Sequence, residues 1–201
     1  MDLAHKHIIT RLLEIFESYG IRSLTIDTLA QNIPTAKKNL SQIAKNKEGL
    51  LDAIFEFKIL EIQNSLDFTK ENYKITNAIE ELFEINSMLY LNNDSRDSHF
   101  YFELHKYYNQ QFQNFKNRKK EMILLCICQN LERGKREAYF KHDLPTERTA
   151  IEYYNILCEL HKVDTHDNYS EKTKHAFDQY IEEITNIRGK EYYKNLLLKE
   201  I

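Results

Sequence analysis

Glycine and proline are scarce in this sequence, with 4 and 2 in 201 residues. Sandwiches, barrels and tight hairpins place those residues at their turns, so their shortage argues against an antiparallel β architecture. It also leaves little material for a phosphate-cradling glycine loop, and no P-loop, Rossmann turn, GxSxG or HExxH pattern occurs. No catalytic constellation and no cofactor-binding motif stands out, so we read the chain as a non-enzyme without a cofactor. Cysteine is sparse too: 3 residues, with Cys126 and Cys128 inside the apolar run "MILLCIC". Such thiols read as buried residues of a reducing compartment. That run is the longest apolar stretch, far short of the ~20 residues that cross a bilayer. The N-terminal "MDLAHKHIITRLLEIF" is broken by an acid and polar residues, unlike a secretory signal. A soluble cytoplasmic protein without membrane contact is expected. A strong charge of one sign is also missing: the formal net charge is -3, so contact with a polyanion must come from a local patch. The 8 histidines lack ligand spacing, and His5 and His7, two apart, do not share a helical face, so no metal site is expected.

Leu, Ile, Glu, Lys, Asn and Tyr are abundant, and the apolar residues recur at spacings of three and four, which reads as an all-α chain. Ile8, Ile9, Leu12, Leu13, Phe16 and Tyr19 mark one face of a first helix, with Gly20 as a left-handed C-terminal cap. Thr25 is the natural N-cap of a short second helix whose stripe is Ile26, Leu29, Ala30 and Ile33. Pro34 stops it, and Thr35 can cap a third helix with Leu40, Ile43 and Ala44 inward. Asn46 can cap a fourth, long helix carrying Leu50, Leu51, Ile54, Phe55, Ile59, Ile62 and Leu66. Further helices are expected near 74–92, 97–116, 118–139, 146–163 and 169–188, separated by joints rich in Asn, Asp, Ser and Pro.

The order "IITRLLEIFESYGIRSLTIDTLAQNI" then "KNKEGLLDAIFEFK" resembles the N-terminal domain of TetR-type (TetR/AcrR) transcriptional regulators. Phe16 and Gly20, then Thr25, Ile26, Leu29 and Ala30, then Lys45, Lys47, Glu48 and Leu50 carry the likeness over about a quarter of the chain. A weaker likeness covers "ERGKREAYFKHDLPTERTA". The resemblance implies a three-helix helix-turn-helix DNA-binding domain at 1–47 on a larger α-helical effector-binding and dimerisation domain at 48–201. It implies a homodimeric regulator, a repressor or sometimes an activator, that reads a palindromic operator in double-stranded DNA and responds to a small-molecule effector. The sequence departs from the family where the turn glycine falls on Pro34, the cap serine on Ala36, a tyrosine on Ser41, and an aromatic pair on Ile43 and Ala44. Those departures motivate a second reading, a helical dimer that binds a small molecule or a protein and has lost specific DNA binding.

Candidate residues follow. Between Arg22 and Lys47 the chain carries Arg22, Lys37, Lys38, Lys45 and Lys47 against Asp27 alone, the footprint of a phosphate-neutralising surface. Thr25, Thr35, Lys37, Lys38, Asn39, Gln42, Lys45 and Lys47 are the candidate DNA contacts. Asn39 and Gln42 are able to pair with adenine, Lys37 and Lys38 with guanine acceptors or phosphates. The aromatic segment "HFYFELHKYYNQQFQNF" offers Phe100, Phe102, His105, Tyr108 and Phe112 as walls of an effector pocket, or else as ordinary core. Tyr153, Tyr154, Leu157, Leu160, Phe177, Tyr180, Ile181 and Ile184 lie on the two helices that, by resemblance, form the dimer seam.

Overall fold

The computed structural model describes residues 3–33, 40, 43–72, 75–91, 99–160 and 169–198. Among these the helices, in chain order, are α1 (Leu3–Tyr19), α2 (Ile26–Asn32), α3 (Lys47–Asn72), α4 (Ala78–Leu91), α5 (His99–Tyr107), α6 (Asn109–Arg136), α7 (Thr146–Leu160), α8 (Tyr169–Ile184) and α9 (Ile187–Leu197). The described residues hold no strand, only an isolated bridge between Phe140 and Thr185. The all-α class is as the periodicity predicted. No helix of the described residues is long and apolar enough to cross a membrane.

The chain packs as two units, Met1–Asn64 with Asp94–Lys120, and Ser65–Asn93 with Glu121–Ile201. The core of the first unit shows what holds it together. Ile8, Leu12 and Phe16 of α1, Leu29 of α2 and Leu50, Leu51 and Ile54 of α3 are fully buried in it, but so are Phe100 and Leu104 of α5. Phe55 of α3 stacks on Phe115 of α6 at 4.6 Å. A helix-turn-helix of about 47 residues has too little interior to bury its apolar faces alone. Here the later helices α5 and α6 complete it.

Two local expectations are corrected. Tyr19 belongs to the α1 stripe by spacing, yet it is 67% exposed, because the helix ends at Gly20 before that position meets the core. The helices expected at 97–116 and 118–139 divide instead at Tyr108, and α6 runs unbroken from Asn109 to Arg136 through the polar "KNRKK". Lys and Arg are good helix formers, so polarity without Gly or Pro does not end a helix.

Candidate nucleic-acid interface

Gly20 takes φ 77°, the left-handed conformation expected of it, and its amide donates to the Phe16 carbonyl at 2.9 Å. This turns the chain so that Ile21 enters the core, fully buried. Three residues on, Thr25 caps α2. Its Oγ1 accepts from the Thr28 amide (3.1 Å) while the Thr28 hydroxyl accepts from the Thr25 amide (2.7 Å), a reciprocal box built from two threonines. Asp27 complements the first turn.

Asn46 caps α3 as expected, its Oδ1 accepting from the Gly49 amide at 3.0 Å. Lys47 follows, and its Nζ donates to the carbonyls of Ile21 (2.9 Å) and Arg22 (3.2 Å). The start of α3 is thereby pinned to the α1–α2 turn, and a candidate phosphate contact holds a structural post as well. Lys45 and Thr25 are exposed. Leu40 is buried in the first unit's core, with Ile43 and Ala44 packed against it, as the third-helix pattern predicted. Thr35, Lys37, Lys38, Asn39 and Gln42 lie outside the described residues, together with Pro34, Ala36 and Ser41.

One residue that organises this region does not emerge from the motif reading. Glu103 of α5 is buried, and its carboxylate accepts from the amides of Ile21 and Arg22, the latter at 3.0 Å. Its other oxygen lies 3.5 Å from His99 Nε2. Arg22 in turn lays its guanidinium over the Tyr107 ring, 4.1 Å from the centroid. The sequence did hold a signal: Glu103 falls between Phe100 and Leu104 on the buried stripe of α5, and an acid there must find donors.

The aromatic segment divides between core and surface. Phe100, Tyr108 and Phe112 are buried in the first unit's core, whereas Phe102 is 54% exposed and His105 is on the surface. Spacing explains the split, since Phe100, Leu104, Tyr108 and Phe112 recur every four residues while Phe102 points away. A cleft of about 480 Å³ does lie in this unit, between α3 and α6, with Phe55 and Phe115 at its floor and Asp52, Glu56, Gln111 and Arg118 among its lining. None of the five expected residues lines it.

In the second unit Tyr153, Leu157, Phe177, Tyr180, Ile181 and Ile184, the residues expected at a dimer seam, are buried within the chain. Tyr154 is half-buried, and the side chain of Leu160 lies outside the described residues. An amphipathic helix has one apolar stripe, and α7 and α8 spend theirs on each other: Tyr153 stacks on Tyr180 at 4.1 Å. The Tyr153 hydroxyl donates to Asn86 Oδ1 at 2.5 Å. Nearby, Asn130 and Arg133 of α6 both donate to Glu81 of α4, at 3.0 and 3.1 Å. The cysteines are free, Cys126 buried and Cys128 and Cys158 half-buried. Among the described residues no group of three His, Cys, Asp or Glu side chains is placed to hold a metal.

Burial pushes the Tyr153 and Tyr180 phenols well above the ordinary value of 10.0. A phenol whose folded pKa is raised contributes stability that is complete below the unfolded value and is lost as pH climbs above it. The expected result is alkaline unfolding that starts above about pH 10 and approaches ~1.4 kcal/mol per phenol per pH unit. Helical circular dichroism and tyrosinate absorbance, followed together, check it. Two of the 13 tyrosines should ionise only as the helices melt. Full ionisation with the helices intact contradicts it.

No family model matches the sequence, and no curated protein matches it. Solved structures do. A TetR-family transcriptional regulator from Cytophaga hutchinsonii superposes with TM-score 0.68 at 14% identity, covering 92% of this chain and 96% of that one. The reduced form of E. coli NemR gives 0.68 at 12%, covering 90% and 97%. A putative transcriptional regulator from Saccharomonospora viridis, solved in complex with choline, gives 0.66 at 12%, covering 91% and 98%. Over about 90% of its length, this chain has the fold of the TetR-family transcriptional regulators.

Proposed function

We propose that this chain is a homodimeric, ligand-responsive DNA-binding transcriptional regulator, acting as a repressor at a palindromic operator. The observation that carries the reading is the α1–α2 turn. Thr25 at the head of α2 ends this turn and Lys47 at the head of α3 is hydrogen-bonded to it, both at positions where the resemblance puts phosphate contacts. The local excess of Arg and Lys between Arg22 and Lys47, in a chain of net charge -3, supports it. Lys37, Lys38, Asn39 and Gln42 are proposed as the base-reading residues. The effector is a small molecule, a reading supported by the Saccharomonospora viridis structure of this fold, which is in complex with choline. With the inward stripes of α7 and α8 already used, the dimer surface falls to their outer faces, where Ile151 is 43% exposed.

The test is fluorescence polarisation of the full chain against labelled DNA from its own upstream region. Specific binding should weaken steeply with salt, and further with Lys37→Ala plus Gln42→Ala. Affinity no greater than for random duplex, at low and moderate salt, would remove DNA reading and leave the alternative, a helical binding module.

A further inference from the structure

We infer that α5 belongs to the DNA-contacting surface: Arg22 and Lys106, gathered on the exposed ring of Tyr107, hold the phosphate backbone of the same duplex. The inference rests on the regulator reading above and adds a contact set from outside the helix-turn-helix.

Tyr107 is 43% exposed, with the Arg22 guanidinium 4.1 Å and the Lys106 ammonium 5.4 Å from its ring centroid. Lys106 also lies 5.3 Å from the ring of Phe102, itself 54% exposed and paired with His99 at 6.3 Å. Two exposed aromatic rings thus carry two exposed cations. Neither cation forms an ion pair among the described residues, although other exposed arginines do: Arg11 with Glu14, Arg118 with Glu56 and Arg148 with Glu152. The carboxylate closest in the network, Glu103, is buried and occupied by the amides of Ile21 and Arg22. Glu48, in the first turn of α3, is an exposed acid of the same neighbourhood. Against it stand three cations, because Lys47 Nζ sits 3.2 Å from the Arg22 carbonyl.

An arginine laid on a ring is held in place with its N–H edge free, so it pairs with an anion at little further cost in side-chain entropy. Phosphate oxygens are the anion this placement favours. Arg22 stands three residues before Thr25 and shares its loop with Lys47, both candidate phosphate contacts. A duplex lying along that loop passes Arg22 and Lys106 with no carboxylate of α5 facing it. An acidic protein partner is the competing occupant.

The experiment measures binding of the full chain to the duplex that wild type recognises, over a salt series, for wild type, Arg22→Gln, Lys106→Gln and Tyr107→Leu. A lost phosphate contact lowers the log–log salt slope by about 0.9, so raising salt from about 50 to about 200 mM should cost each glutamine variant about 3.5-fold less affinity than wild type. Low-salt affinity should fall alike for specific and random duplexes. Tyr107→Leu, which keeps both charges and removes the ring, should weaken binding in the same sequence-independent way. Urea midpoints unchanged for the glutamine variants show that the fold is intact. Slopes and affinities that equal wild type overturn the inference, including the case where the variants instead lose binding to an acidic protein. Failure of wild type to bind its own upstream DNA removes the regulator reading itself, a result distinct from unchanged slopes.

Discussion

Glu103→Ala is expected to destabilise the first unit by about 2–4 kcal/mol, seen as a lower urea midpoint and as faster hydrogen exchange at Ile21 and Arg22. The carboxylate accepts two backbone amides from the α1–α2 turn, and Ile21 at that turn is fully buried. Hydrogen bonds to a charged group are worth about 1.5–3 kcal/mol each, and a buried donor left without a partner costs about 1–3 kcal/mol. Opposing this, alanine removes the cost of keeping a carboxylate in an interior where Glu103 is 5% exposed. The amides dominate because they cannot leave. Ile21 is fixed by the core, and Gly20 before it is crowded, since a Cβ there would lie 2.9 Å from His99 and 3.1 Å from Glu103. Glu103→Gln keeps one acceptor oxygen and should cost less than half as much. Equal midpoints for wild type and Glu103→Ala would show that the turn holds itself. The same variant should weaken DNA binding at all salt concentrations, because Arg22, Thr25 and Lys47 take their positions from this turn.

That the prediction falls on Glu103, rather than on a motif residue, shows what the sequence made legible. Gly20, Thr25 and Asn46 were readable because capping is local: the residue type and its offset carry the signal. Burial by face was readable too. Leu29, Leu50 and Ile54 are fully buried where their spacing placed them. What spacing does not carry is the identity of the surface on the other side. Phe100, Leu104, Tyr108 and Phe112 are apolar at intervals of four, but only the fold shows that they belong to the core around α1 and α3. Spacing likewise does not show that Tyr153 of α7 stacks on Tyr180 of α8 within the chain. Long-range pairing also hid Glu103, whose partners stand some 80 positions earlier.

Gly134→Ala sets two local forces of opposite sign against each other in the second unit. Helix propensity alone favours the change: Gly134 lies inside α6, and alanine there should gain about 1 kcal/mol. Packing opposes it. A Cβ at Gly134 would lie 2.0, 2.3 and 2.6 Å from three carbons of the Phe140 ring. The ring, 2% exposed, has no easy retreat. The Phe140 amide donates to the Gly134 carbonyl at 3.1 Å, the next amide, of Lys141, donates to Ile184 at 2.9 Å, and Phe140 is bridged to Thr185. The chain therefore reverses tightly around this glycine, with Ala138 at φ 56° completing the turn. Overpacking costs typically 1–3 kcal/mol, and expelling a core phenylalanine altogether costs about 3–5 kcal/mol. Sterics should win, and we expect Gly134→Ala to lose about 2–4 kcal/mol net, lowering the thermal midpoint by several degrees. The double variant Gly134→Ala with Phe140→Leu separates the causes. The smaller side chain relieves the clash, so the pair should couple favourably by more than about 1 kcal/mol in a double-mutant cycle. Additive losses in that cycle, or a Gly134→Ala protein as stable as wild type, would mean that the turn after α6 yields where its hydrogen bonds say it is held.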